Sequence, residues 1–181
     1  MRRLALTAIG RDRPGIVAAA SRVLLAHQAN VEDSQMTILR GHFTMMLVVS
    51  VPEEADIGTL RDDLEDVRGE LGLEAIVLSE LDDVDPANEP IPTHIVTLYG
   101  ADHPGIVHAA TSALAQLEVD ITDLTTKLAG EGGEGPSLYA LMMEIAPPPG
   151  VAAAEVEEAL QRVGEEQGVE VSVRALDAEA L

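Results

Sequence analysis

One eight-residue segment occurs twice in the chain, and that repetition constrains the fold more than any other feature. Gly10-Arg-Asp-Arg-Pro-Gly-Ile-Val17 returns as Gly100-Ala-Asp-His-Pro-Gly-Ile-Val107, a shift of 90 residues. The same shift carries Asn30-Val31-Glu32-Asp33 onto Asp120-Ile121-Thr122-Asp123. Farther along the shift is 96, pairing Phe43 with Tyr139, Met46 with Met142, Pro52 with Pro148, Leu64 with Leu160 and Gly72 with Gly168. The six extra residues equal the length of Gly130-Glu-Gly-Gly-Glu-Gly135, a composition suited to a surface loop, where added length costs little. A fixed register over nearly all 181 residues marks a duplicated unit.

Each copy parses into six elements. Arg3–Ile9 alternates as a strand, and 10–13 forms a turn. Pro14 suits a first helical turn, and Asp12 is placed to cap the amides behind it. Ile16, Ala20, Val23, Leu24 and His27 recur at helical spacing. Val31–Arg40 reads as a strand, Gly41-His42 as a hairpin turn and Phe43–Val51 as an apolar strand. Ile57, Leu60, Leu64, Val67 and Leu71 make an amphipathic helix ended by Gly72, and Leu73–Glu80 closes the unit as a strand. The second copy repeats the order from Thr93 to Leu176. The expected division is 1–81, an acidic, proline-rich linker at 82–92, and 93–181. The order βαββαβ predicts an α+β chain of two ferredoxin-like units, each an antiparallel sheet with both helices on one face. Such units leave an open sheet face and open edges, which side-by-side or face-to-face pairing of sheets would cover. A homodimer is expected.

Composition narrows the function. Acidic residues outnumber basic ones 32 to 11, for a formal charge of −21. That field repels phosphate backbones and anionic headgroups, so direct nucleic-acid and membrane binding are not expected. An RNA-binding version of this fold needs surface aromatics on a basic sheet, and the aromatics here are Phe43, Tyr99 and Tyr139 alone. The absence of cysteine excludes disulfides, thiol catalysis and Cys-ligated metals. No apolar stretch approaches the roughly 18 residues of a membrane span. A charged Arg11–Pro14 cluster stands where a signal peptide would need its small-residue cleavage site, so a cytoplasmic protein is expected.

Catalytic patterns are lacking. His27, His42, His94, His103 and His108 form no HExxH or similar ligand pair, the serines lack a GxSxG elbow, and the paired carboxylates fall at polar helix positions. Met45, Met46, Met142 and Met143 suit strand interiors. The expectation is no enzyme activity, no cofactor and no metal. The DxPGIV turns carry the strongest local signal. A helix start presents unpaired amides and the positive end of its dipole, and Gly15 and Gly105 allow close approach of an anion. The same residues equally make a plain tight turn that needs no ligand.

With the βαββαβ repeat, the DxPGIV turn and Asn30-Val31 at the start of the second strand, both halves resemble the ACT domain, an amino-acid-sensing regulatory module. The tandem arrangement is similar to the glycine cleavage system transcriptional repressors. Amino-terminal regions of phosphoserine phosphatases and formyltetrahydrofolate deformylases look alike but lead into catalytic domains, which are not expected here. The resemblance implies a free amino acid, of the glycine or serine type, bound between ACT units. Asp12, Arg13, Pro14, Gly15 and Ile16 would hold it, with Asn30 and Val31 completing the pocket. In the second copy the matches are Asp102, His103, Pro104, Gly105, Ile106, Asp120 and Ile121. The change from Asn30 to Asp120 puts a carboxylate where the ligand carboxylate would lie, so the two pockets should differ. The implied partner is a protein, either a transcription factor or an amino-acid-metabolising enzyme.

Overall fold

The computed structural model describes residues 1–82, 89–129 and 137–176. The chain divides into two compact units, Met1–Asp85 and Pro86–Leu181. In unit 1 the order is β1 (Arg2–Arg11), α1 (Ile16–Ala26), β2 (Asn30–Leu39), β3 (His42–Val51), α2 (Ile57–Leu71) and β4 (Ala75–Glu80). Unit 2 repeats it as β5 (His94–Ala101), α3 (Ile106–Gln116), β6 (Asp120–Ala129), β7 (Leu138–Ala146), α4 (Ala153–Gln167) and β8 (Val169–Ala175). The sheets run β2-β3-β1-β4 and β6-β7-β5-β8, all neighbours antiparallel. This is the split βαβ arrangement that the repeated pattern implies.

Strand alternation builds each core. In unit 1, Leu4, Leu6 and Ala8 of β1 and Phe43, Met45, Leu47, Val49 and Val51 of β3 turn to the helices. There they meet Ile16, Ala20 and Leu24 of α1 and Leu60, Leu64 and Val67 of α2. Unit 2 has a separate core of the same design, from Val96 and Leu98 through Ile106, Ala110 and Leu114 to Val156, Leu160 and Val163. The opposite faces carry exposed apolar side chains, with Ile9, Met46 and Val77 on one sheet and Tyr99 and Met142 on the other.

Three local details differ from the sequence reading. The hairpin turn is Arg40-Gly41, one residue earlier than expected, because Leu39 pairs with His42. Both turn residues have positive φ, 50° and 81°, the two-residue geometry that follows the twist of the flanking strands. The start of α1 is capped by Gly15 (φ 100°) and not by Asp12, and Pro14 precedes the helix. Glycine serves there because the backbone enters the left-handed region; α3 repeats the device at Gly105 (φ 110°). The glycine-rich insertion at 130–135 and the central part of the linker, 83–88, lie outside the described residues.

Candidate functional site

The DxPG turn and the start of the second strand do not meet within a unit. Asn30 pairs with Ser50, which also pairs with Arg3 at the beginning of β1, whereas the turn follows Arg11 at its end. Eight residues of strand separate them, roughly 26 Å. The cause is α1, whose 11 residues carry the chain back along the sheet before β2 begins. The same holds for Gly105 and Asp120, since Asp120 pairs with Ala146 and the turn follows Ala101.

At the turn end, Asp12, Arg13, Pro14 and Gly15 are exposed, while Ile16 is buried in the core. Ile106 is buried likewise, and Asp102, Pro104 and Gly105 are exposed. The Asp12 amide donates to the Gly41 carbonyl at 2.9 Å, which ties the turn to the β2–β3 hairpin; Asp102 makes the corresponding bond to Ser137 at 3.0 Å. No side chain caps α1 or α3. Their first amides are therefore left for water or an anion.

The basic residue of each turn points away from those amides. A Cβ built on Gly72 would lie 3.7 Å from the Arg13 guanidinium, which places that cation at the C-terminus of α2. His103 does the same in unit 2. Its Nε2 lies 2.8 Å from the Gln167 carbonyl oxygen, and its Nδ1 lies 3.1 Å from that of Pro104. Bonds to the Gln167 and Pro104 carbonyls hold the His103 pKa above its usual value, aided by nearby Asp102. A cation at a helix C-terminus is favoured by the dipole, so these residues clamp the turn onto the second helix.

A groove in unit 1 lies between α1 and the edge strand β2. It measures about 230 Å³ and is lined by Val17 and Ser21 of α1, Val31, Ser34, Gln35 and Met36 of β2, and Met45 and Leu47 of β3. It runs from the first turn of α1 to Val31. A β-bulge makes it possible. The register slips between Val31 and Asp33, leaving Glu32 as the extra residue, so Val31 and Ser34 both point to the helix face. Glu32 is held outside by Arg3, whose Nε lies 3.1 Å from its carboxylate. Of the groove residues, the sequence marked only Val31 as part of a site; strict alternation hides the bulge. The available signal was the comparison of copies, since Ser34 stands opposite Leu124. Asn30 and Asp120 are exposed at the strand starts, and Ile121 is half-buried. Among the described residues no cluster of His, Asp or Glu could hold a metal ion, and no helix is long and apolar enough to cross a membrane.

Two βαββαβ units, each with a glycine-capped helix start tied to a hairpin, define a tandem regulatory module. The chain belongs to the ACT-domain family, whose pattern it matches over residues 2–77 and again over 93–174. A UPF0237 protein of Methanopyrus kandleri is 46% identical over 81 residues, covering 44% of this chain and 90% of that one. The phosphoserine phosphatase of Mycobacterium tuberculosis is 28% identical over 170 residues, 93% of this chain but 39% of the phosphatase. An unassigned protein of Galdieria sulphuraria superposes with a TM-score of 0.81 at 30% identity, over 97% of this chain and 99% of that chain. A structure provisionally assigned as a glycine cleavage system transcriptional repressor shares the fold, with a TM-score of 0.73 at 17% identity over 97% and 98% of the two chains.

Proposed function

We propose that this is a non-catalytic, cytoplasmic regulatory protein whose ACT domains, residues 1–81 and 93–181, bind a free amino acid and signal its level to a protein partner of the transcription-factor type. The observation that carries the reading is the unit 1 groove, whose lining includes Val17 in the first turn of a helix that no side chain caps. An α-amino acid has matching parts: a carboxylate for the exposed helix start at Gly15, next to Ile16, and a side chain for the groove. Asp12, Arg13 and Pro14 shape the helix start, and Val31, beside Asn30, lines the far part of the groove. In unit 2 the equivalents are Asp102, His103, Pro104, Gly105, Ile106, Asp120 and Ile121. Ligand binding can switch the protein only by favouring one of two states, and a homodimer partner closing over the exposed β2 edge would supply such a pair of states.

A second reading is favoured by the match over 170 residues to the phosphoserine phosphatase. In it the chain regulates an amino-acid-metabolising enzyme directly. Co-purification separates the two readings, recovering a transcription factor in one case and an enzyme in the other. A thermal-shift screen of the twenty amino acids tests the premise shared by both. A ligand at about 100 times its Kd raises stability by roughly 2.7 kcal/mol, a shift of several degrees. No shift with any of them at millimolar concentration would refute amino-acid binding.

A further inference from the structure

Helices cover one face of the unit 1 sheet, and the other face is open. Register places Thr7 and Ile9 of β1, Met46 and Val48 of β3, and Ala75 and Val77 of β4 on that open face. None of the six is charged. Ile9, Met46 and Val77 are 38%, 48% and 52% exposed, and Thr7, Val48 and Ala75 are half-buried. Ser79, exposed beyond Val77, is uncharged as well, and Asp33, opposite Val48 on the edge strand β2, stands at the rim. Unit 2 treats the same face differently. Cross-strand pairing sets Glu144 and Arg174 beside Ile95, and Glu170 beside Tyr99. By register these three take the places of Val48, Ser79 and Ala75, which pair with Ala5 and Ile9. One copy of the duplicated sheet therefore keeps an uncharged open face, and the other carries charge across it.

We propose that two copies of the chain associate through this face, unit 1 sheet against unit 1 sheet, as a weak and reversible dimer. Charge names the occupant. Each copy carries a formal −21, so two copies repel one another except where neither presents carboxylates. A basic partner would be drawn to the carboxylate-rich surfaces instead, whereas an uncharged apolar face is matched by its own copy. Sheets stack face to face about 10 Å apart, and the half-exposed Ile9, Met46 and Val77 would fill that space. Area sets the strength. Four strands about 4.8 Å apart, over roughly 20 Å of length, present about 400 Å² per copy, and both copies together stay below the roughly 1,200 Å² of a stable interface. The unit 2 face cannot serve in the same way. Stacked on its own copy it would strip water from Glu144 and Glu170 and bring like charges together. The β2 edge and the groove beside α1 lie at the side of the unit 1 face and stay free, so this contact does not depend on amino-acid binding.

Analytical ultracentrifugation of the full chain, loaded from about 10 μM to about 0.5 mM, tests the assignment. A dimer should form toward the upper end. Raising the salt from about 0.01 M to 0.15 M should strengthen it, because screening weakens the repulsion between two acidic bodies. Val48→Glu with Ala75→Glu installs side chains that the same framework already accepts in unit 2 as Glu144 and Glu170. This double variant should weaken the dimer at least about tenfold, with the circular dichroism spectrum unchanged. Val77→Glu alone, at an exposed position, serves if the double variant folds poorly. Thr125→Glu with Ser172→Glu adds the same charge to the unit 2 face and should change dimerisation little. A chain that stays monomeric throughout overturns the proposal and leaves the face to a different protein. So does a dimer that weakens as salt rises, since ion pairs would then hold it. Equal losses from the two double variants would mean that added charge alone is responsible, and the face would not be the interface. A dimer that survives Val48→Glu with Ala75→Glu but is lost on Met36→Lys is held by the β2 edge, and the face assignment is wrong.

Discussion

His103 shows how one substitution between copies makes the same contact sensitive to pH. Both of its ring nitrogens face carbonyl oxygens, and a carbonyl only accepts. Both contacts are hydrogen bonds only when the ring is an imidazolium. The folded-state pKa is accordingly raised, by the bond to Gln167 first and that to Pro104 second. A group whose pKa is higher folded than unfolded stabilises the fold fully below the unfolded value, about 6.5, and loses that contribution as the pH rises through the folded value. The stability difference between the native protein and His103→Ala should therefore be largest in mild acid and shrink above neutrality, as read by urea denaturation at several pH values. His103→Arg copies the cation of Arg13, which does not titrate in this range, and should abolish that pH dependence. An equal loss for His103→Ala at every pH would mean that the ring acts by packing alone. The sequence marked the turn as special but did not show which helix end its cations reach. Arg13 and His103 look like ligands for an anion because they adjoin the helix start in sequence. In space they reach the far helix's C-terminus, a contact between residues 59 or 64 positions apart that no local pattern reports.

At the scale of elements, the duplication made most of the fold legible. Periodicity located the helices because their buried positions, Ile16, Ala20 and Leu24, or Leu60, Leu64 and Val67, fall every three or four residues. Less visible was how closely elements approach. Gly164 lies in α4, where a Cβ would come within 2.8 Å of the Val169 carbonyl oxygen and 2.9 Å of the Val171 side chain. The helix there rests almost directly on β8. Gly69 in α2 has nothing within 4 Å of such a Cβ. Alanine is favoured over glycine in a helix by about 0.8–1 kcal/mol, so Gly69→Ala should stabilise the protein by roughly that amount. Gly164→Ala should instead destabilise it by about 1–3 kcal/mol, because overpacking against backbone outweighs propensity. Chemical denaturation of the two single variants gives the comparison, and stabilisation by both would show that α4 can move off β8 freely. The bulge beside Val31 escaped the sequence for a similar reason. An extra residue in a strand breaks the two-residue period only locally, and the groove that results belongs to the pairing of β2 with β3, not to either strand alone.

The whole molecule is dominated by its charge. A formal −21 on 181 residues opposes both its own compact state and the approach of any polyanion. Screening weakens the first effect, so the melting temperature should rise when salt is increased from about 0.01 M to 0.15 M, where the Debye length falls from roughly 30 to 8 Å. The second effect bears on how an ACT protein of this kind could influence transcription. A protein that binds DNA directly neutralises phosphates with Lys and Arg and releases counterions. Its affinity therefore climbs steeply as salt is lowered. Here the one lysine, Lys127, and ten arginines are outnumbered almost three to one, and several cations are already paired with carboxylates: Arg2 with Glu80, Arg3 with Glu32, Arg68 with Glu65. The protein alone should thus leave duplex DNA unshifted in a gel even at about 50 mM salt, where non-specific binding is strongest. On the proposed reading, the protein added to a complex of DNA with a transcription factor should change that complex's mobility or stability, and the change should depend on the amino acid. Retardation of free DNA by the purified protein, with affinity falling as salt rises, would show direct contact and remove the need for a transcription-factor partner.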